Sequence, residues 1–164
     1  NTFLSTKLNM RSIIRIKFVR TSLAALLACS TLVFGADCQV KVTGSDAMQY
    51  DVKKIEISKD CDKFTIELVH GGQLPAAAMG HNVVIVETAK MMGIATTMIK
   101  MENGIDNGFL PESSDILFKS KMVGGGESTT LEIDPAKLTS GTAYTYFCSF
   151  PGHWAIMKGD LTIL

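Results

Sequence analysis

Tyr144-Thr145-Tyr146-Phe147-Cys148-Ser149-Phe150-Pro151-Gly152-His153-Trp154-Ala155-Ile156-Met157-Lys158-Gly159-Asp160-Leu161-Thr162-Ile163 reads as strand, loop and strand in one piece. Tyr144 and Tyr146, and then Leu161 and Ile163, place apolar residues at a spacing of two, which is the period of a half-buried strand. Pro151-Gly152 between them is turn chemistry. The loop so framed carries Cys148, His153 and Met157.

The same alternation recurs upstream. Val40 and Val42, Ile55 and Ile57, Phe64, Ile66 and Leu68, Ile116 and Phe118, and Leu131 and Ile133 all fit it. Asn82 to Val86 is a continuous run, as a strand covered on both faces would be. Glycine and proline signals punctuate these runs at Gly44, Gly71-Gly72, Gly124-Gly125-Gly126, Ser140-Gly141 and Pro151-Gly152. Many short strands at this spacing predict an all-β domain, either a two-sheet sandwich or a barrel. One segment departs from the period. Thr88 to Asn103 has Met91, Ile94, Ala95, Met98, Ile99 and Met101 at near-helical spacing, which predicts a short inserted helix capped by Gly104.

The chain has 164 residues and a formal charge of zero, but the balance is uneven. Arg11, Arg15, Lys17 and Arg20 precede an apolar or small-residue run from Thr21 to Phe34. That order predicts a secretory signal peptide over residues 1–35, cleaved after Gly35, with a domain over residues 36–164. The run is short for a membrane span. Without residues 1–35 the chain keeps 11 lysines against 16 acidic residues and no arginine. Such a composition argues against nucleic-acid binding. A lipobox-like Leu26-Leu27-Ala28-Cys29 offers lipid anchoring at Cys29 as a minor alternative; the short apolar run before it favours soluble release. Cys38, Cys61 and Cys148 remain. In an exported protein the odd count suggests one disulfide, most economically Cys38–Cys61, and one thiol with another task.

Thiolate, thioether and imidazole within one short loop suit copper. A further imidazole comes from His81 or His70, and His81, at the mouth of the Asn82–Val86 run, has the better context. Each residue also has a plainer reading. Cys148 alone could be an inert buried thiol, or a nucleophile beside His153. Met157 alone could be core filler. It is the Cys-x4-His-x3-Met constellation with a distant Gly-His that points to metal.

Met79-Gly80-His81-Asn82, Cys148-Ser149-Phe150-Pro151-Gly152-His153 and Met157-Lys158-Gly159 resemble the azurins, a family of cupredoxins. The likeness runs from Ala36 to Ile163. It implies a Greek-key β-sandwich with one inserted helix and a blue copper site that carries single electrons without being an enzyme. By that resemblance His81, Cys148 and His153 hold one copper ion in a plane. Met157 and the Gly80 carbonyl are weak axial ligands, and Asn82 steadies the ligand loops. Transient redox partners would dock on an apolar patch near His153, formed by its loop together with Leu74, Pro75, Ala78 and Met79. The mature protein would be periplasmic, monomeric and not inserted in a membrane.

Two departures from the family pattern stand out. Val83 occupies the place of a frequent tryptophan, and Trp154 stands where a small residue is usual, either as a plain rim residue or as an enlargement of the docking face. His70 matches a family histidine near the metal, but Gly71 follows it where proline is frequent. Met91, Met92, Met98 and Met101 fit helix packing better than a copper-scavenging array. A copper buffer would need a more labile site, and a multi-copper oxidase would need more histidines than the three present.

Overall fold

The structure, a computed structural model, describes residues 37–100 and 104–164. The expected leader, its cleavage site, Cys29 and Met101 lie outside the described residues. Nine strands are present among them: β1 Gln39–Ser45, β2 Gln49–Tyr50, β3 Lys54–Ile57, β4 Phe64–His70, β5 Val84–Glu87, β6 Ile116–Lys119, β7 Ser128–Ile133, β8 Tyr144–Phe147 and β9 Lys158–Ile163. They form two sheets, ordered β2-β1-β4-β7 and β3-β9-β8-β5-β6. This is the expected two-sheet β-sandwich. Both sheets are mixed, because β1 pairs parallel with β4 and β3 parallel with β9.

Alternation in the sequence becomes the inner faces of the two sheets. Val42, Ile66, Leu68, Leu131 and Ile133 from the first sheet meet Ile55, Ile57, Ile85, Tyr146 and Leu161 from the second in one apolar core. Burying such side chains supplies about 25 cal/mol per Å² of apolar surface, the main force closing the sandwich. Cys38 and Cys61 are joined, with Cα atoms 5.7 Å apart. The disulfide fastens the entries to the parallel strands β1 and β4.

The second sheet is buried on both faces where β5 and β8 run. Val83 and Ile85 face the sandwich core, while Val84, Val86 and Phe147 face outward beneath a helix. That helix, α2 in chain order, is Met91–Lys100, entered by a 3-10 turn at Thr88–Lys90. Met91, Ile94 and Met98 recur along one side of it and pack on the sheet, the spacing an amphipathic helix requires.

Four local readings change. A one-turn helix, α1 Ala76–Met79, precedes β5 and carries no side-chain cap, so it had no sequence signal. Gly44 is not a turn. It lies inside β1, paired with Tyr50 and His70. Gly104 is extended, at φ −99° and ψ 171°, and leads into a 3-10 turn; it is not a left-handed helix cap. Ile116, Leu117 and Phe118 are all half-buried, because β6 is the edge of its sheet and its alternation is blurred.

Candidate metal centre

Cys148 follows directly on β8 and is fully buried. His81 precedes β5 and is held by two backbone hydrogen bonds with Val123, its N–H to the Val123 carbonyl at 2.9 Å and the reverse at 2.8 Å. His153 opens a 3-10 turn after Gly152, whose φ of +83° needs glycine. The loop between β8 and β9 is closed on itself. The Cys148 N–H donates to the Met157 carbonyl at 3.0 Å, and the Met157 N–H to the His153 carbonyl at 2.7 Å. The chain thus turns through ten residues with both ends fixed by strands.

These positions bring three ligand atoms together. One donor atom from each of His81, Cys148 and His153 lies within 4.8 Å of the others. The Cys148 Sγ is 3.5 Å from His153 Nδ1, 3.9 Å from His81 Nδ1 and 3.6 Å from the Gly80 carbonyl oxygen.

His81 shows why a cation fits. Its Nε2 lies 2.9 Å from the Ser45 carbonyl and its Nδ1 2.9 Å from the Gly80 carbonyl. A neutral imidazole has one N–H for these two acceptors. Protonating the ring would supply the second, but burial, and after it the neighbouring His70, hold its pKa below the usual value. With Nε2–H on Ser45, Nδ1 and the Gly80 oxygen are two lone-pair donors facing one place, beside a sulphur. His153 is likewise held neutral, its pKa pushed down to about 4 by burial and by the nearby His81 and His70. Burial pushes the Cys148 thiol up to about 11, opposed by the backbone N–H groups of Asn82 and Phe150. A thiol and two neutral imidazoles, dry and converging, form the mixed soft and borderline donor set that copper takes.

His70 is the contrast. It stacks on His81 with ring centroids 4.1 Å apart. Its Nε2 donates to the Met79 carbonyl at 2.7 Å, and its Nδ1 accepts the Gly72 N–H at 3.0 Å. Both nitrogens are in use, so of the two candidate histidines only His81 has one to spare.

The family model for copper-binding proteins of the plastocyanin/azurin family matches residues 36–164. An azurin of Bordetella pertussis is 44% identical over 149 residues, covering 90% of this chain and 98% of the relative. An azurin of Pseudomonas fluorescens biotype A is 44% identical over 129 residues, covering 78% of this chain and 99% of its own length. Among solved structures, an azurin (Az-iso2) from Methylomonas sp. strain J superposes with a TM-score of 0.72 at 35% identity, covering 79% of this chain and 99% of its own.

The chain belongs to the plastocyanin/azurin family. In this family member Asn82 links the two ligand-bearing segments. Its Oδ1 accepts the Ser149 N–H at 2.9 Å, its Nδ2 donates to the Ser149 Oγ at 2.8 Å, and the Ser149 hydroxyl reaches the Gly108 carbonyl. Met157 is fully buried. A Cβ on Gly44 would come within 2.6 Å of the His81 ring and 2.9 Å of the Met157 methyl, so the missing side chain at Gly44 lets both approach. A glycine inside an alternating run was the available sign of such a close approach. The Ser45 carbonyl and Gly108 gave no sign, because any residue supplies a carbonyl.

Val83 lies in the inner core, and Trp154 is half-buried, packed against the outer apolar cluster to which Val84, Phe147 and Leu110 belong. Its indole is therefore partly committed to packing and only in part a rim surface. His153 is buried, while Pro151, Gly152, Ala155 and Ile156 in its loop are exposed; Leu74, Pro75 and Ala78 are exposed as well, and Met79 is half-buried.

Proposed function

We propose that His81, Cys148 and His153 hold one copper ion, with Met157 and the Gly80 carbonyl as weaker partners, and that this site carries single electrons between redox proteins. The carrying observation is the convergence of a thiol and two imidazoles at one buried point, with an imidazole nitrogen and a carbonyl facing each other there. Copper bound there supplies a one-electron Cu(I)/Cu(II) couple. The protein's own part is to present neutral nitrogens, to give up the thiol proton, and to exclude water. Hydrogen bonds from strand ends and from Asn82 fix the donors before any metal arrives, so little movement accompanies a change of charge. Carrying a single electron needs no bound substrate, and we read the protein as a carrier and not an enzyme, as its likeness to the azurins supports.

We further read residues 36–164 as the mature domain and residues 1–35 as a signal peptide directing it to the periplasm. The family match beginning at residue 36 supports this, as does the P. fluorescens azurin, which is matched over 129 residues at nearly its whole length. Among the described residues no helix is long and apolar enough to cross a membrane. The apolar rim around His153 suits brief docking of redox partners on a monomer, since such encounters use small contact areas.

An optical spectrum tests the site. Copper(II) added to the apo protein is expected to give an intense blue band from thiolate-to-copper charge transfer. A copper-loaded protein without colour would end this reading. Slow exchange of the metal would separate an electron carrier from a copper buffer.

A further inference from the structure

Two consecutive residues beside the ligand loop stand in the left-handed backbone region, Gly108 at φ +67° and Phe109 at φ +58°. Glycine adopts this conformation freely, whereas a bulky residue there is an outlier that its surroundings must hold in place. They do so here. The Phe109 N–H donates to the Gly104 carbonyl and to the Asn107 Oδ1, each at 3.1 Å, and the Asn107 Nδ2 donates to the Leu110 carbonyl at 3.3 Å. Asn107 thus grips the chain on both sides of Phe109. The conformation so held delivers a row of contacts. The Gly108 carbonyl accepts the Ser149 hydroxyl. The Phe109 ring meets the Phe150 ring edge to face, with centroids 5.3 Å apart. Phe150 in turn lies tilted on the His153 imidazole at 4.6 Å. Leu110 belongs to the outer cluster on which Trp154 packs. Three successive residues therefore back the ligand loop at Ser149, at Phe150 and through the cluster that receives Trp154.

Resting on the copper reading above, we propose that Phe109 is a positioning residue for His153, acting through Phe150. Its ring holds the Phe150 ring on the imidazole, which fixes the plane of the imidazole and keeps water from that side of the site. Both effects bear on the electron. A ligand that cannot turn moves little when the charge changes. The oxidised site carries one positive charge more than the reduced one, and a dry surround disfavours the higher charge. The water-excluding ring pair therefore raises the potential. The backbone points the same way. Glycine or asparagine would sit at position 109 without the strain that phenylalanine brings, so what the strained residue contributes is its ring and not the turn.

The test uses four variants. Phe109→Asn and Phe109→Gly suit the left-handed backbone and remove the ring, and Phe109→Tyr keeps it. Leu138→Ala is the control. Leu138 is buried and lines one surface hollow with Cys61, so its truncation loosens the core at the disulfide end. In the apo protein, the ring-proton resonances of His153 feel the ring current of Phe150. They are expected to move in Phe109→Asn and Phe109→Gly and to hold in Phe109→Tyr and Leu138→Ala. In the copper-loaded protein the midpoint potential is expected to fall in the first two variants and to hold in the other two. Unmoved resonances in Phe109→Asn and Phe109→Gly overturn this inference alone, as does an unmoved potential in blue protein. Equal shifts in Leu138→Ala also overturn it, since general loosening would then be the cause, and so does a Phe109→Tyr variant that behaves like Phe109→Asn. A wild-type protein without the blue band overturns the copper reading and this inference with it. Far-UV circular dichroism on all four variants shows that the fold is kept.

Discussion

β1 and β4 run parallel and in register, and their two ends treat sulphur in opposite ways. At the start of the strands Cys38 and Cys61 are tied to each other. At the far end, beside Gly44 and His70, Cys148 is a free thiol, buried among lone-pair donors. One end uses a covalent bond to hold chain to chain. The other withholds a bond so that the thiol is left for metal. The difference lies in reach. Cys38 and Cys61 flank two paired strands and come within disulfide distance, whereas Cys148 leaves β8 facing histidines.

The comparison breaks most sharply at Cys148. Cys148→Ser is expected to lose the blue band entirely while keeping a folded β-protein by circular dichroism. A retained intense band would remove Cys148 from the ligand set. The same pair of proteins gives a proton count. With the thiol near 11 and His153 near 4, the apo site at pH 7 holds the thiol proton and no imidazolium. Metal loading should then release about one proton, read from calorimetry in buffers of different ionisation enthalpy, and close to none in Cys148→Ser.

At the other end the expected effect is on stability. Replacing both Cys38 and Cys61 by Ala should cost about 3 kcal/mol in denaturant unfolding, the size expected for opening a loop of 23 residues. The blue band should stay where it was. A displaced band would show that the two ends are coupled along β1 and β4. The finest distinction is within the metal end. Met157→Gln should keep the colour and lower the midpoint potential, because an oxygen donor favours Cu(II) over a thioether. An unchanged potential would leave Met157 as packing only.

The sandwich was legible because one side of each sheet faces the core, so that Phe64, Ile66 and Leu68 in β4 carry the period of two. The candidate ligands were legible because Cys148, His153 and Met157 share one loop, and short spacing survives folding unchanged. His81 could be ranked above His70 only by context. What separates them is the partner of each ring nitrogen, and no pattern of residues encodes that. Gly44 was misread because glycine marks turns and close approaches alike; its role depends on His81, which lies far along the chain. Parallel pairing of β1 with β4 left no trace, since alternation is the same in either direction. The single turn of α1 is too short to show a helical period.

The free thiol at the end of the chain also has a history. Three cysteines can pair in three ways, and only one of these leaves Cys148 available. Synthesis proceeds from the N-terminus, so Cys38 and Cys61 emerge together well before Cys148. The stretch from Cys61 to Cys148 is also about four times longer than the stretch that joins the native pair, which adds about 1 kcal/mol to the entropy of closing it. The order of residues along the chain thus sorts the sulphurs before there is a fold to protect them.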